Sequence, residues 1–81
     1  MGEIDKKVKA IVIDQLGLRK GVYKKRLPFE VLGADWFDLV ELMTIMEEEF
    51  GVDMPMGIEV ELTSPKKLIA WLKLKQKQKE R

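Results

Sequence analysis

Residues 29–55 read FEVLGADWFDLVELMTIMEEEFGVDMP, and the strongest helix signal in the chain lies inside them. Gly33-Ala34 close the preceding segment. Asp35 is an N-cap candidate, because its carboxylate can accept from the free N–H groups of a first turn. Asp38 stands where a capping box places its return acceptor, although Glu or Gln is the usual residue there. Leu39, Leu42, Met43, Met46 and Phe50 recur at helical spacing and form one apolar stripe, and Gly51 is a natural stop. Asp38, Glu41, Glu47, Glu48 and Glu49 carry the charge, with no base among them. Oppositely charged i,i+4 pairs are therefore absent. Three acids near the C-terminal end also oppose the helix dipole. A segment that breaks local rules without local compensation points to a functional surface.

Upstream, Ile4, Val8, Ile11, Val12 and Leu16 share one helical face and Gly17 ends it, which predicts a helix over about residues 3–16. Residues 17–35 form a long connection punctuated by Gly21, Pro28 and Gly33. Its apolar content (Leu18, Val22, Tyr23, Leu27, Phe29, Val31, Leu32) predicts a loop packed on the core. Downstream, Met54, Met56, Ile58, Val60 and Leu62 alternate with period 2, as in a strand. Pro55 and Gly57 argue against a long regular element, and one strand would have no partner, so a short helix or irregular turn is expected. Thr63-Ser64-Pro65 is a hydroxyl cap followed by proline at the first helical position. Leu68, Ile69, Leu72 and Trp71 follow as an apolar face. From Lys73 onward KLKQKQKER reads as a fraying, solvated helix end.

The expected fold is all-α: a small bundle of three main helices, about 3–16, 36–50 and 65–75, with a short fourth element near 56–61. Residues 1–75 make one domain and 76–81 a basic C-terminal tail. The expected core is Ile4, Val8, Ile11, Leu16, Phe29, Leu32, Leu42, Met46, Phe50, Leu62, Leu68 and Leu72.

Composition narrows function by exclusion. The 81 residues, 46% hydrophobic and 36% charged, suit one small folded domain. There is no Cys and no His, which removes thiolate chemistry, the commonest metal ligands and the commonest general base. No catalytic or metal-binding residue is expected, and the chain does not read as an enzyme. No apolar run approaches the ~20 residues of a membrane span. The opening MGEIDKKVK lacks the apolar region of a signal peptide, so a cytoplasmic protein is expected. High Lys and Glu with no Asn and a single Ser is a habit of thermophile proteins and of designed ones.

The net charge of +1 conceals a strong pattern. Residues 27–65 hold ten acids and no base, residues 1–26 hold eight bases and three acids, and residues 66–81 hold seven bases and one acid. An acidic face of this kind recruits basic partners and speeds encounter, unless the basic ends fold back and neutralise it. The C-terminal lysine run has no aromatic or Gly-rich interleaving, so nucleic acid is not expected as a partner.

The stretch 29–55 resembles the acyl carrier proteins of fatty-acid and polyketide synthesis. The likeness rests on Phe29, Leu32-Gly33-Ala34-Asp35, Asp38, Val40-Glu41-Leu42, Glu47-Glu48-Glu49-Phe50 and Pro55. Gln15-Leu16-Gly17 and Thr63-Ser64 extend it to about residues 3–72. The resemblance implies a helical bundle whose acidic second helix docks on basic enzymes. It also implies a serine, within Asp-Ser-Leu, esterified with 4′-phosphopantetheine. Here that motif reads Asp35-Trp36-Phe37. Trp36 has no hydroxyl, and its indole N–H is a donor only, so no cofactor is expected. Thr44 lies two turns further on, and the oxygens of Thr63 and Ser64 are expected to be engaged in capping.

Three readings of Trp36 compete: a tolerated surface residue on a degenerate copy, a partner anchor, or a deliberate replacement in an engineered or mutated carrier or a scaffold designed on that fold. As an anchor, Trp36 would join Phe37 and Val40 in an apolar strip, with Asp35, Asp38, Glu41, Glu47 and Glu48 as steering acids. The expected partner is a basic protein, among them the enzymes of fatty-acid or polyketide synthesis, and the chain is expected to be a monomer. Met56, Gly57, Ile58 and Val60 are more apolar than the resemblance implies, and are expected to fill the interior against a tethered acyl chain.

Overall fold

The computed structural model describes residues 2–79. Three helices, α1 (Glu3–Leu16), α2 (Trp36–Phe50) and α3 (Pro65–Lys79), enclose one core, and a single 3₁₀ turn spans Ile58–Val60. No strand occurs among the described residues, so the all-α bundle expected from the sequence is the observed fold.

α1 packs against both α2 and α3. Val8 and Val12, at i and i+4, are completely buried at the centre of its inward face. Ile4, Ile11 and Leu16 lie at the edges of that face and are only partly buried, which corrects their placement in the core. Leu42, Met43, Met46 and Phe50 of α2 meet Leu68, Ile69 and Leu72 of α3 in the same cluster. Val12, Ala34, Met43, Ile58 and Ile69 complete it beyond the residues expected.

The long connection lies on the core as its composition predicts. Phe29 and Leu32 are buried. The Phe29 N–H donates to the Thr63 carbonyl at 2.8 Å, and the Lys66 N–H donates to the Lys25 carbonyl at 2.8 Å. These two bonds tie the loop to the start of α3 and satisfy backbone groups that burial would otherwise strand. Val22 and Val31, apolar in the same segment, face solvent instead.

Asp5 of α1 joins the loop to α3, with the Lys73 ammonium at 3.0 Å and that of Lys25 at 3.6 Å. The Lys73 ammonium beside it, with Lys25 assisting, holds its carboxyl below the usual range. Burial pushes the Tyr23 phenol up, and the Asp5 charge adds to that.

α3 runs to Lys79 rather than ending near residue 75. Two side chains of its last turns find partners across the molecule. Gln76 Nε2 donates to the Phe50 carbonyl and Lys79 Nζ to the Gly51 carbonyl, both at 2.9 Å. Of the expected tail 76–81, residues 80–81 lie outside the described residues.

Candidate functional site

Asp35 and Asp38 form a complete capping box. The Asp38 N–H donates to Asp35 Oδ1 at 2.9 Å, and the Asp35 N–H donates to Asp38 Oδ2 at 3.0 Å. The shorter Asp therefore does the work usually left to Glu. Both carboxylates also sit at the positive end of the helix dipole. The box is closed within four residues, and neither the Trp36 nor the Phe37 side chain takes part in it.

Those side chains are large and apolar. Trp36 is 55% exposed and Phe37 77%, and Val40 follows one turn on with a smaller exposed area. Trp36, Val40, Met43 and Thr44 form one wall of an open groove of about 510 Å³, and Met54, Pro55, Met56 and Gly57 form the other. Glu47 and Glu59 add carboxylates to its lining. Met56 of the second wall and Val60 beyond it stand outside the molecule, against the expectation that they fill its interior. Met56 is fully exposed and Val60 is 68% exposed, while Ile58 and Leu62 are buried. Ile58 opens the 3₁₀ turn and faces inward with Leu62, whose N–H donates to the Ile58 carbonyl at 3.0 Å, while Met56, before the left-handed Gly57, and Val60 face outward. A strand would have put all four on one face. Met56 and Val60 thus extend the exposed apolar surface beyond the residues sequence reasoning selected.

The acids of α2 divide in the same way. Glu41 accepts from Gln15 Nε2 at 3.0 Å on the exposed surface. Glu47 Oε2 accepts the Met54 N–H at 2.7 Å and pins the loop that follows the helix. Glu49 pairs with Lys7 at 3.4 Å. Glu48 is exposed and makes no ion pair among the described residues. Asp35, Trp36, Phe37, Asp38, Val40 and Glu41 are thus gathered on the first half of α2. Glu47 and Glu48 lie two turns away, one engaged by the fold and one not.

The basic ends fold back only in part. Lys7 Nζ lies 5.2 Å from the centre of the Phe50 ring besides pairing with Glu49. Lys79 reaches the Gly51 carbonyl. Both place positive charge at the C-terminal end of α2, where it offsets the dipole that the local acids oppose.

Position 36 offers an indole N–H and no oxygen nucleophile. The Thr44 hydroxyl donates to the Val40 carbonyl at 3.1 Å. Ser64 is buried, and its hydroxyl accepts the Lys67 N–H at 3.3 Å as the cap of α3. Thr63 engages through its main-chain carbonyl, not its hydroxyl. Among the described residues no group of three or more acids is arranged to hold a metal ion, and no helix is long and apolar enough to cross a membrane. What the arrangement holds is an exposed apolar strip and groove at the start of α2 with carboxylates around them.

Residues 6–72 match the phosphopantetheine attachment site family. An acyl carrier protein of Nitratidesulfovibrio vulgaris strain Miyazaki F is 38% identical over 74 residues, covering 90% of this chain and 97% of the relative. The acyl carrier proteins of strains DP4 and Hildenborough are each 50% identical over 52 residues, covering 63% of this chain and 68% of theirs.

Proposed function

The chain belongs to the acyl carrier protein family, and we propose that within it this protein is a carrier-like docking domain that holds no phosphopantetheine. The family is one of carriers, not enzymes. On this reading the chain works in the cytoplasm by binding a basic protein partner through α2, with the enzymes of fatty-acid and polyketide synthesis as the first partners to try.

The observation that carries the reading is Trp36. It occupies the position where the family resemblance places the attachment serine, and the residues present do not fit the prosthetic group. The thiol arm that group supplies needs an oxygen nucleophile at the start of α2, and Trp36 has none. A large aromatic side chain, half exposed at the rim of an apolar groove, is instead the type most enriched among interface hot spots. Exposed acids raise the encounter rate of a basic partner, and Trp36, Phe37 and Val40 then hold it by apolar burial.

Incubation with coenzyme A and a phosphopantetheinyl transferase tests the first half of the reading by mass spectrometry. The chain is expected to gain no mass, and Trp36→Ser is expected to gain that of the arm. A mass gain by the unaltered chain would overturn the reading. Trp36 fluorescence during partner titration, with Trp71→Phe removing the second emitter, tests the other half.

A second reading is favoured by the integrity of everything around position 36. Leu32-Gly33-Ala34-Asp35 and the capping box are in place, as in an engineered or mutated form of a working carrier or a scaffold designed on its fold. Under that reading Trp36→Ser restores acyl loading by the synthesis enzymes as well as arm attachment. Under the first it restores attachment alone.

A further inference from the structure

The outward faces of α2 and α3 complement one another, yet no single molecule can bring them together. Phe37, Val40, Glu41, Thr44 and Glu48 form one exposed stripe on α2, opposite the buried Leu42, Met46 and Phe50. Lys67, Ala70, Leu74 and Lys77 form one exposed stripe on α3, opposite the buried Leu68 and Leu72. At 1.5 Å rise per residue each stripe is about 15 Å long. Each has an apolar part, Phe37 and Val40 on α2 and Ala70 and Leu74 on α3. Leu74 is 54% exposed. The charges beside them are opposite: residues 27–65 contain no base, and residues 66–81 contain seven bases against one acid. Lys67 and Lys77 make no ion pair among the described residues, and neither does Glu48.

We propose that the α2 face of one molecule docks antiparallel on the α3 face of a second copy, with Val40 on Leu74, Thr44 on Ala70 and Glu48 on Lys67. The register follows from spacing. Residues 40, 44 and 48 descend α2 in steps of about one turn, and 74, 70 and 67 ascend α3 in matching steps. Phe37 then covers the aliphatic stem of Lys77, as long basic side chains allow. Ala70, the smallest side chain of the two stripes, lets the helices approach at their midpoint. Antiparallel packing also sets the dipoles of the two helices against each other favourably. One helix pair buries little area, so the contact belongs with small, transient interfaces of less than about 1,200 Å². The protein is monomeric when dilute, and because every copy keeps one free α2 face and one free α3 face, it associates head to tail as concentration rises.

This rests on the preceding reading in one respect, that α2 carries a docking face, and it fails separately. A foreign basic partner that binds α2 while the chain stays monomeric at every concentration overturns the self-association and leaves that reading standing.

The experiment is sedimentation velocity on the whole chain from micromolar to millimolar, at 0.1 M and 1 M salt. These conditions shrink the Debye length from ~10 Å to ~3 Å. Association is expected at low salt and is expected to weaken roughly tenfold or more at high salt. The decisive arm uses two charge-reversed chains, Glu41→Lys with Glu48→Lys, and Lys67→Glu with Lys77→Glu. Each alone is expected to stay monomeric, and an equimolar mixture is expected to associate, because each chain supplies a face complementary to the other's. Circular dichroism confirms that both remain helical, and Leu74→Ser, which leaves every charge in place, is expected to weaken pairing as well. A monomer under all conditions, pairing by either reversed chain alone, or a mixture that fails to pair while both are folded, overturns the proposal.

Discussion

The two ends of α2 carry similar sequence ingredients, acids and a large aromatic, and the fold treats them in opposite ways. At the C-terminal end, Phe50 is buried and its carbonyl takes Gln76. Glu49 takes Lys7, Glu47 takes the Met54 N–H, and Lys79 closes on Gly51. At the N-terminal end, Asp35 and Asp38 satisfy each other, and Trp36 and Phe37 stand in solvent. One end is anchored by α1, α3 and the following loop, and the other is closed on itself and presents its surface. The difference teaches that an acid or an aromatic on this helix cannot be assigned to structure or to binding by its identity. What assigns it is whether a distant segment arrives to use it.

The largest test sets Phe50→Ala against Phe37→Ala. Truncating the buried ring should cost about 3–5 kcal/mol in denaturant unfolding, and truncating the exposed one should stay within about 0.5 kcal/mol. Comparable losses at both would break the contrast. Next comes Trp36→Ala, which should weaken partner binding by roughly 2 kcal/mol or more, mostly through faster dissociation, and leave the unfolding midpoint where it was. Adjacent acids give a sharper pair. Glu47→Ala removes a charged acceptor from a backbone N–H and should cost about 1.5 kcal/mol of stability. Glu48→Ala should cost almost none, and Glu48→Lys should show itself mainly as a slower on-rate that salt abolishes.

Asp35→Ala, which opens the capping box, should lower stability by about 1 kcal/mol. The smallest effect belongs to acid. The Asp5 carboxyl titrates below its unfolded value near 3.9. Its stabilising contribution is therefore present above that value and is lost as pH falls through the lower, folded one. Unfolding midpoints measured from pH 5 to pH 2 should fall, and Asp5→Asn should flatten that part of the curve. The half-exposed lysines around Asp5 are screened by solvent, which keeps the effect small.

Much of this architecture was legible in the sequence because it is local. The stripe from Leu39 to Phe50, the glycine stops at 17 and 51, the box at 35 and 38, and the hydroxyl-proline start of α3 all follow from spacing within a few residues. The exposed strip of Trp36, Phe37 and Val40 was legible for the same reason, since it lies off the apolar stripe. The remainder depends on distance along the chain. Lys79 meets Gly51 across 28 residues and Gln76 meets Phe50 across 26, so a lysine-rich run that reads as a fraying end is held helical by partners no local pattern contains. Glu47 reads as a steering acid because its acceptor role requires the loop to turn back on it. Met56 and Val60 read as interior because apolar character alone does not say which side chains of a turn face the core.

The self-contained box at the start of α2 has an evolutionary consequence. Because Asp35 and Asp38 close the box with their own side chains and N–H groups, the side chain at position 36 takes no part in capping the helix. Selection can exchange what stands there, a nucleophile, an aromatic or a small neutral side chain, without first repairing the bundle. A scaffold with such a neutral position is free to gain or lose a chemical role in a single substitution while the rest of its surface, and whatever recognises it, is inherited unchanged.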